Sequence, residues 1–299
     1  MVKLYLCVFS CVFLCIFNSQ AKINVFACEP EWKALAEEIG QDRLNAYSAT
    51  SAFQDPHYIK AKPSLLSKVR KSDLLICSGA DLESGWLPLL LRNASRNLQP
   101  GNIGNLMAAE YVETIGKPEI LDRSMGDVHA DGNPHIHLNP YNILLVAAEL
   151  NNRLKEIDPS NSKDYQKNYD IFISKWKKSI GKWEVKASKL KGVKVLPHHK
   201  SFSYLIEWLK LDEVSSLESK PGIAPTSNHL ESLLIILRKE PEVFIIRTPF
   251  DPTDASNWIH TKTHIKALVL PYTVGGNEES NNLFSLFDNN VDLMLEATK

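Results

Sequence analysis

Between Asp158 and Gly192 the sequence sets apolar residues at steps of three and four: Tyr165, Tyr169, Phe172, Trp176, Ile180, Trp183, Ala187 and Leu190. That spacing puts them on one side of a helix with 3.6 residues per turn. Asp158 can cap, Pro159 suits the first helical position and Gly192 supplies the stop. The pattern predicts one helix over 158–191, roughly 50 Å long at 1.5 Å per residue. A rod of that length is a stiff strut, and the chain on either side of it must supply the bodies it joins.

Both flanks alternate short apolar strands with amphipathic helices. Before the rod, Ile23–Cys28, Asn45–Ala49, Leu74–Cys77 and His135–Leu138 read as strands, and Glu31–Ile39, Leu65–Arg70, Leu87–Leu98 and Tyr141–Ile157 as helices. After it, strands are expected at Val193–Pro197, Val214–Leu217, Val243–Arg247 and Ala267–Leu270. Helices are expected at Phe202–Leu209, Asn228–Lys239, Asp254–His260 and Leu283–Ala297. Such alternation implies mainly parallel sheets with helices on both faces. The expected fold class is α/β, with an N-terminal lobe over 22–157, a linking helix over 158–191 and a C-terminal lobe over 192–299. No internal repeat or Gly/Ser linker interrupts this plan.

The chain opens MVKLYLCVFSCVFLCIFNSQA, with Lys3 ahead of an apolar run and small residues at Ser19 and Ala21. This reads as a signal peptide over 1–21, short in its apolar part for a membrane span, with an uncleaved anchor as the other reading. The mature protein is expected in the periplasm, as a monomer. A balance of 34 basic against 35 acidic residues, net −1, excludes a broad nucleic-acid surface. Three of the five cysteines leave with the leader, and Cys28 and Cys77 remain. In an exported protein the pair suggests a disulfide, while two buried thiols is the other reading.

The nine histidines give the chemistry. His57 (QDPHYIKAKPS) lies in a loop after the second strand, and His135 (GNPHIHLNPYN) in the last strand of the first lobe. His199 (LPHHKSFSY) lies just past the first strand of the second lobe. Open parallel sheets gather ligands beyond the carboxyl ends of their strands. Three neutral imidazoles make most of a tetrahedral zinc site.

Here the chain resembles a known family, the metal-binding solute-binding proteins of ABC importers (ZnuA/TroA-like, cluster A-I). The resemblance rests on QDPH at 54–57 with KPS at 62–64, SDLLICSGADLE at 72–83 and NPHIHLNPYN at 133–142. It continues through HHKSFSYL at 198–205, KPGIAPTSNHL at 220–230 and VLPYTVGG at 269–276. It implies two lobes on a rigid helix, one metal in the cleft, delivery to a membrane permease and no catalysis. It assigns metal-ligand roles to His57, His135 and His199. His137, two residues along the expected strand, would face the same side as His135. It stands as an additional ligand or as a packing neighbour, and His198 is expected to face away.

The fourth ligand is where the sequence departs from the pattern. Columns that are acidic in many relatives read Thr248 and Pro271 here, leaving Asp251, Glu29 or water to complete the shell. An imidazole-rich, oxygen-poor site favours Zn²⁺, with Mn²⁺ second. The loop GDVHADGN at 126–133, holding Asp127, His129 and Asp131, reads as a solvated turn, with transient metal capture as its other reading. His260 and His264 read as surface. Two other functions remain open: a zinc-dependent hydrolase on the same three histidines, and a surface adhesin. No H-E-x-x-H, Walker or dinucleotide-binding motif is present.

Overall fold

Val25, Phe26 and Ala27 are buried on both faces of their strand, as are all four residues of Leu74–Cys77, so neither run alternates polar with apolar. They belong to a four-stranded parallel sheet in a computed structural model that describes residues 21–299 apart from Leu121 and Pro241. The leader over 1–20, and the signal peptide expected there, lie outside the described residues. The sheet comprises β1 (Ile23–Ala27), β2 (Leu44–Ser48), β3 (Leu74–Cys77) and β4 (Asn105–Met107), in the order β2-β1-β3-β4. Ile23, Val25 and Ala27 face Trp32 and Leu35 of α1 (Pro30–Gly40) and Val146 of α4 (Pro140–Ile157). Phe26 and Cys28 face the opposite way, into a smaller cluster with Leu65 of α2 (Pro63–Arg70) and Leu90 of α3 (Leu87–Leu91).

The rod follows as α5 (Ser162–Ala187), flanked by single tight turns at Pro159–Asn161 and Ser188–Leu190. Its 26 residues span about 39 Å, shorter than expected. The reason is local. Asp158 accepts hydrogen bonds from Ser160 Oγ (2.7 Å), Asn161 Nδ2 (2.6 Å) and Tyr165 Oη (2.8 Å), fastening a turn where regular helix was expected. Two indoles on the buried stripe tie α5 to both lobes. Trp176 Nε1 donates to Pro140 O (2.8 Å), and Trp183 Nε1 to Asp288 Oδ1 of α9 (Leu283–Ala297) (2.8 Å).

The second sheet repeats the topology of the first: β5 (Lys194–Pro197), β6 (Asp212–Glu213), β7 (Phe244–Arg247) and β8 (Ala267–Val269) run parallel in the order β6-β5-β7-β8. α6 (Ser203–Leu209), α7 (Ser227–Leu237), α8 (Asp254–Thr263) and α9 flank it.

Three expectations are corrected. His135–Leu138 is not a strand. It folds as a tight turn over Ile136–Leu138, because Asn133 Oδ1 captures the His135 amide (2.9 Å) and Pro140 already opens α4. The fourth strand is Asn105–Met107, three residues too few to show periodicity. In the second lobe the short strand is Asp212–Glu213, displaced from Val214–Leu217. The helix expected over Leu87–Leu98 stops at Leu91, whose carbonyl accepts from Gln99 Nε2 (2.7 Å).

Cys28 follows β1 and Cys77 ends β3. The two are joined as a disulfide, with Cα atoms 4.8 Å apart, within the range a bridge requires. Thiol titration of denatured, unreduced mature protein should find no free thiol, and two titrating thiols would contradict the bridge. Closing a loop over a separation of 49 residues stabilises by about 4 kcal/mol on the chain-entropy account, so reduction should lower the unfolding midpoint clearly.

Candidate metal centre

The cleft collects three imidazoles from three different loops. His57 lies in a tight turn, Pro56–Tyr58, that Asp55 caps by accepting the His57 amide (3.0 Å). The same Asp55 oxygen accepts from the ring at Nδ1 (2.7 Å), so one carboxylate sets both backbone and side chain. His135 sits in the turn fixed by Asn133, and its Nδ1 lies 2.7 Å from the Tyr272 hydroxyl, which comes from beyond β8 in the other lobe. His199 follows the end of β5 and pairs Nδ1 with Glu218 Oε2 (2.7 Å).

Every Nδ1 is therefore occupied, which leaves the three Nε2 atoms for an ion. The carboxylates beside His57 and His199 hold the proton on Nδ1 and raise the basicity of Nε2, while the Tyr272 hydroxyl, able to donate or accept, orients the His135 ring. The rings form a nearly equilateral triangle, with centroids 5.5, 5.7 and 5.8 Å apart. Their donor atoms lie within 4.8 Å of one another. A tetrahedral zinc with bonds of about 2.0–2.1 Å needs donors about 3.4 Å apart, a contraction within reach of small side-chain rotations.

The electrostatics suit a cation. Burial, reinforced by the neighbouring His57 and His199, pushes the His135 pKa well below the ordinary imidazole value and keeps that ring neutral. Burial acts the same way on His199, but the hydrogen bond and charge of Glu218 outweigh it and raise the pKa overall. Burial also opposes charge on Asp55, yet the contacts with His57 hold its carboxylate below the usual range.

The sequence reading put His129 in a solvated turn, with transient metal capture second, and missed its approach to His57. Far from a solvated turn, it brings Nε2 to 3.3 Å from His57 Nε2, close to the donor spacing of a tetrahedral ion. Burial with the nearby His57 pushes its pKa down to about 4. The Asp-x-His-x-Asp pattern on a glycine-bounded loop was the available signal. The supports Asp55, Glu218 and Tyr272 were missed as well, and only Asp55, two residues before its histidine, is adjacent in sequence.

Of the additional candidates, His137 and Glu29 are committed elsewhere, and Asp251 lines the same cavity as the triangle. His137 commits Nε2 to the Tyr272 carbonyl (2.9 Å), and its buried Nδ1 faces Glu31 Oε1 (3.1 Å), outside the converging triangle. Glu29 is buried away from the triangle, accepting from Ser78 Oγ (3.2 Å), and burial beside Glu83 raises its pKa. Asp251 Oδ2 accepts the Thr248 amide (2.7 Å) in a closed turn. His198 does not leave the cleft. It is buried on the wall of the same cavity, with Nε2 3.8 Å from Glu218 Oε1. Among the described residues, only one other group converges closely enough to share an ion, Cys28, Cys77 and Glu83, and its two sulfurs are bonded to each other.

Two parallel α/β lobes on one helical rod, with a histidine-lined crevice between them, define a cleft-type solute-binding protein. The chain belongs to the ZnuA family, zinc-uptake complex component A, periplasmic, whose model matches residues 25–297. The family consists of solute-binding proteins of metal importers, not enzymes. ScbA, a metal ABC transporter substrate-binding lipoprotein of Streptococcus cristatus, is 24% identical over 285 residues, covering 93% of this chain and 89% of its own. The manganese ABC transporter substrate-binding lipoprotein PsaA of Streptococcus pneumoniae is 22% identical over 287 residues, covering 93% and 90%. A solved structure of ZnuA superposes with a TM-score of 0.77 at 18% identity, over 93% of this chain and 100% of that one. A Mn-bound periplasmic metal binding protein from Candidatus Liberibacter asiaticus gives 0.74 at 17% identity, with the same coverage. At those identities the structural likenesses speak for the fold alone.

Proposed function

We propose that the chain captures one divalent transition metal, Zn²⁺ first and Mn²⁺ second, between His57, His135 and His199. It then delivers the ion to the membrane permease of an ABC importer. The observation that carries this reading is the set of Nδ1 partners (Asp55, Tyr272 and Glu218), which turns three imidazoles from both lobes toward one point. His129, with Nε2 3.3 Å from His57 Nε2, is our candidate for the fourth donor. An all-nitrogen shell favours zinc, because manganese prefers carboxylate and water. The leader over 1–21 directs export, so the protein acts outside the cytoplasm as a periplasmic receptor. The relatives are named lipoproteins, which raises membrane tethering as a variant of the same placement.

Titration of metal-free mature protein in a calorimeter should show one Zn²⁺ per chain, with Mn²⁺ bound more weakly. A preparation that gives no heat with zinc would sink the proposal. Anomalous scattering at the zinc edge from crystals of the loaded protein should place one peak inside the triangle.

A further inference from the structure

We propose that residues 122–129 of the first lobe and 218–222 of the second form a metal-responsive clasp across the cleft mouth. In it, Glu218 is the positioning residue that ties occupancy of His199 to seating of the loop carrying His129. This rests on the metal-capture reading above and adds how capture closes the cleft.

Three hydrogen bonds fasten the loop. The Asp127 amide donates to the Pro221 carbonyl (2.7 Å), Lys220 Nζ donates to the Ser124 carbonyl (2.8 Å), and the Tyr58 hydroxyl donates to Asp127 Oδ2 (2.6 Å). The first two join the lobes directly, and the third anchors the loop to the turn that carries His57. The backbones meet so closely that a side chain on either face is excluded. A Cβ on Gly126 would lie 2.1 Å from the Pro221 carbonyl oxygen, and one on Gly222 2.0 Å from Asp127 Oδ2. Both glycines also hold positive φ, +85° and +71°, a conformation that favours glycine.

The link to the ion is a single carboxylate oxygen. Glu218 Oε2 accepts from His199 Nδ1 (2.7 Å) and from the Gly222 amide (2.8 Å). A cation on His199 Nε2 polarises the ring and strengthens its Nδ1–H bond to Glu218. A carboxylate held more firmly holds the Gly222 amide more firmly, and Gly222 is the surface on which Asp127 rests. On the far side of the same loop, His129 is brought to His57. Ion binding and loop seating are then one equilibrium, with Glu218 at the junction.

Hydrogen exchange at the Asp127 amide tests this in the full mature chain, with and without saturating Zn²⁺. Zinc should slow exchange there about tenfold or more in the wild type. In Gly222→Ala, with zinc still on the histidines, the slowing should be largely lost, and in Glu218→Gln it should be lost even at zinc concentrations raised until calorimetry shows full occupancy. Equal protection in the wild type and Glu218→Gln would overturn the proposal, as would exchange at Asp127 that ignores zinc while calorimetry shows zinc bound. A chain that binds no zinc at all would remove the metal-capture reading, and the clasp with it. Tyr58→Phe supplies a gentler variant, removing one hydroxyl at a largely exposed ring. Release of zinc to a competing chelator should quicken by about tenfold, the worth of a hydrogen bond to a charged group, and an unchanged release rate would count against the clasp.

Discussion

Zinc affinity should fall by at least about a hundredfold when His57, His135 or His199 is replaced by Ala, more than loss of a supporting group costs. His229→Ala and His264→Ala should leave it nearly unchanged. His229 spends Nε2 on the Ser216 carbonyl (2.9 Å), and His264 is an exposed residue at the end of α8. His129→Ala belongs between these extremes, at about tenfold, because it removes a donor while three imidazoles remain. Competition with a chromogenic chelator measures all six variants on one scale. Equal losses across the set would show that the triangle is not where the ion sits. Removing a ligand should also shrink the gain in melting temperature that zinc confers on the wild type, since a ligand bound only by the folded state stabilises it by mass action.

Affinity should also fall steeply in acid. Coordination needs neutral imidazole, so each proton held by the empty site competes with the ion. His135 and His129 are held neutral by burial and by their imidazole neighbours, with His129 titrating only near pH 4, and neither competes around neutrality. His199 is the opposite case: Glu218 raises its pKa above the ordinary 6.5 against the pull of burial. The decline should therefore begin above pH 6.5 as pH is lowered, with a slope of at least about one decade per unit once His199 is protonated. Apparent affinity measured from pH 8.5 to 5.5 checks the sign, and a flat profile would show that His199 does not coordinate. In Glu218→Gln the onset should move to lower pH, because the group that holds the proton on His199 has lost its charge.

The sequence made the α/β rhythm and the three converging histidines legible for different reasons. Strands such as Leu74–Cys77 are buried on both faces and read as unbroken apolar runs, and the stripe on α5 repeats often enough to be unmistakable. The three histidines stand in short motifs that resemble a family pattern. What escaped was whatever depends on distant parts of the chain meeting. Tyr272 supports His135 across 137 residues, and His129 meets His57 across 72, and neither pairing leaves a local trace. Local competition misled in two places. Asn133 and Pro140 turned an apolar tetrapeptide into a tight turn, and Asp158 shortened the rod by satisfying its own neighbours.

The buried face of α5 has a consequence for how the molecule must fold. Apolar residues from β1 and α1, through Trp176 and Trp183, to Phe287 and Met294 of α9 form a single uninterrupted cluster. Neither half can be cut free without leaving a row of aromatic rings in water. Heat should consequently melt the molecule in one cooperative step, and a truncated half should aggregate instead of standing alone as an independent folding unit.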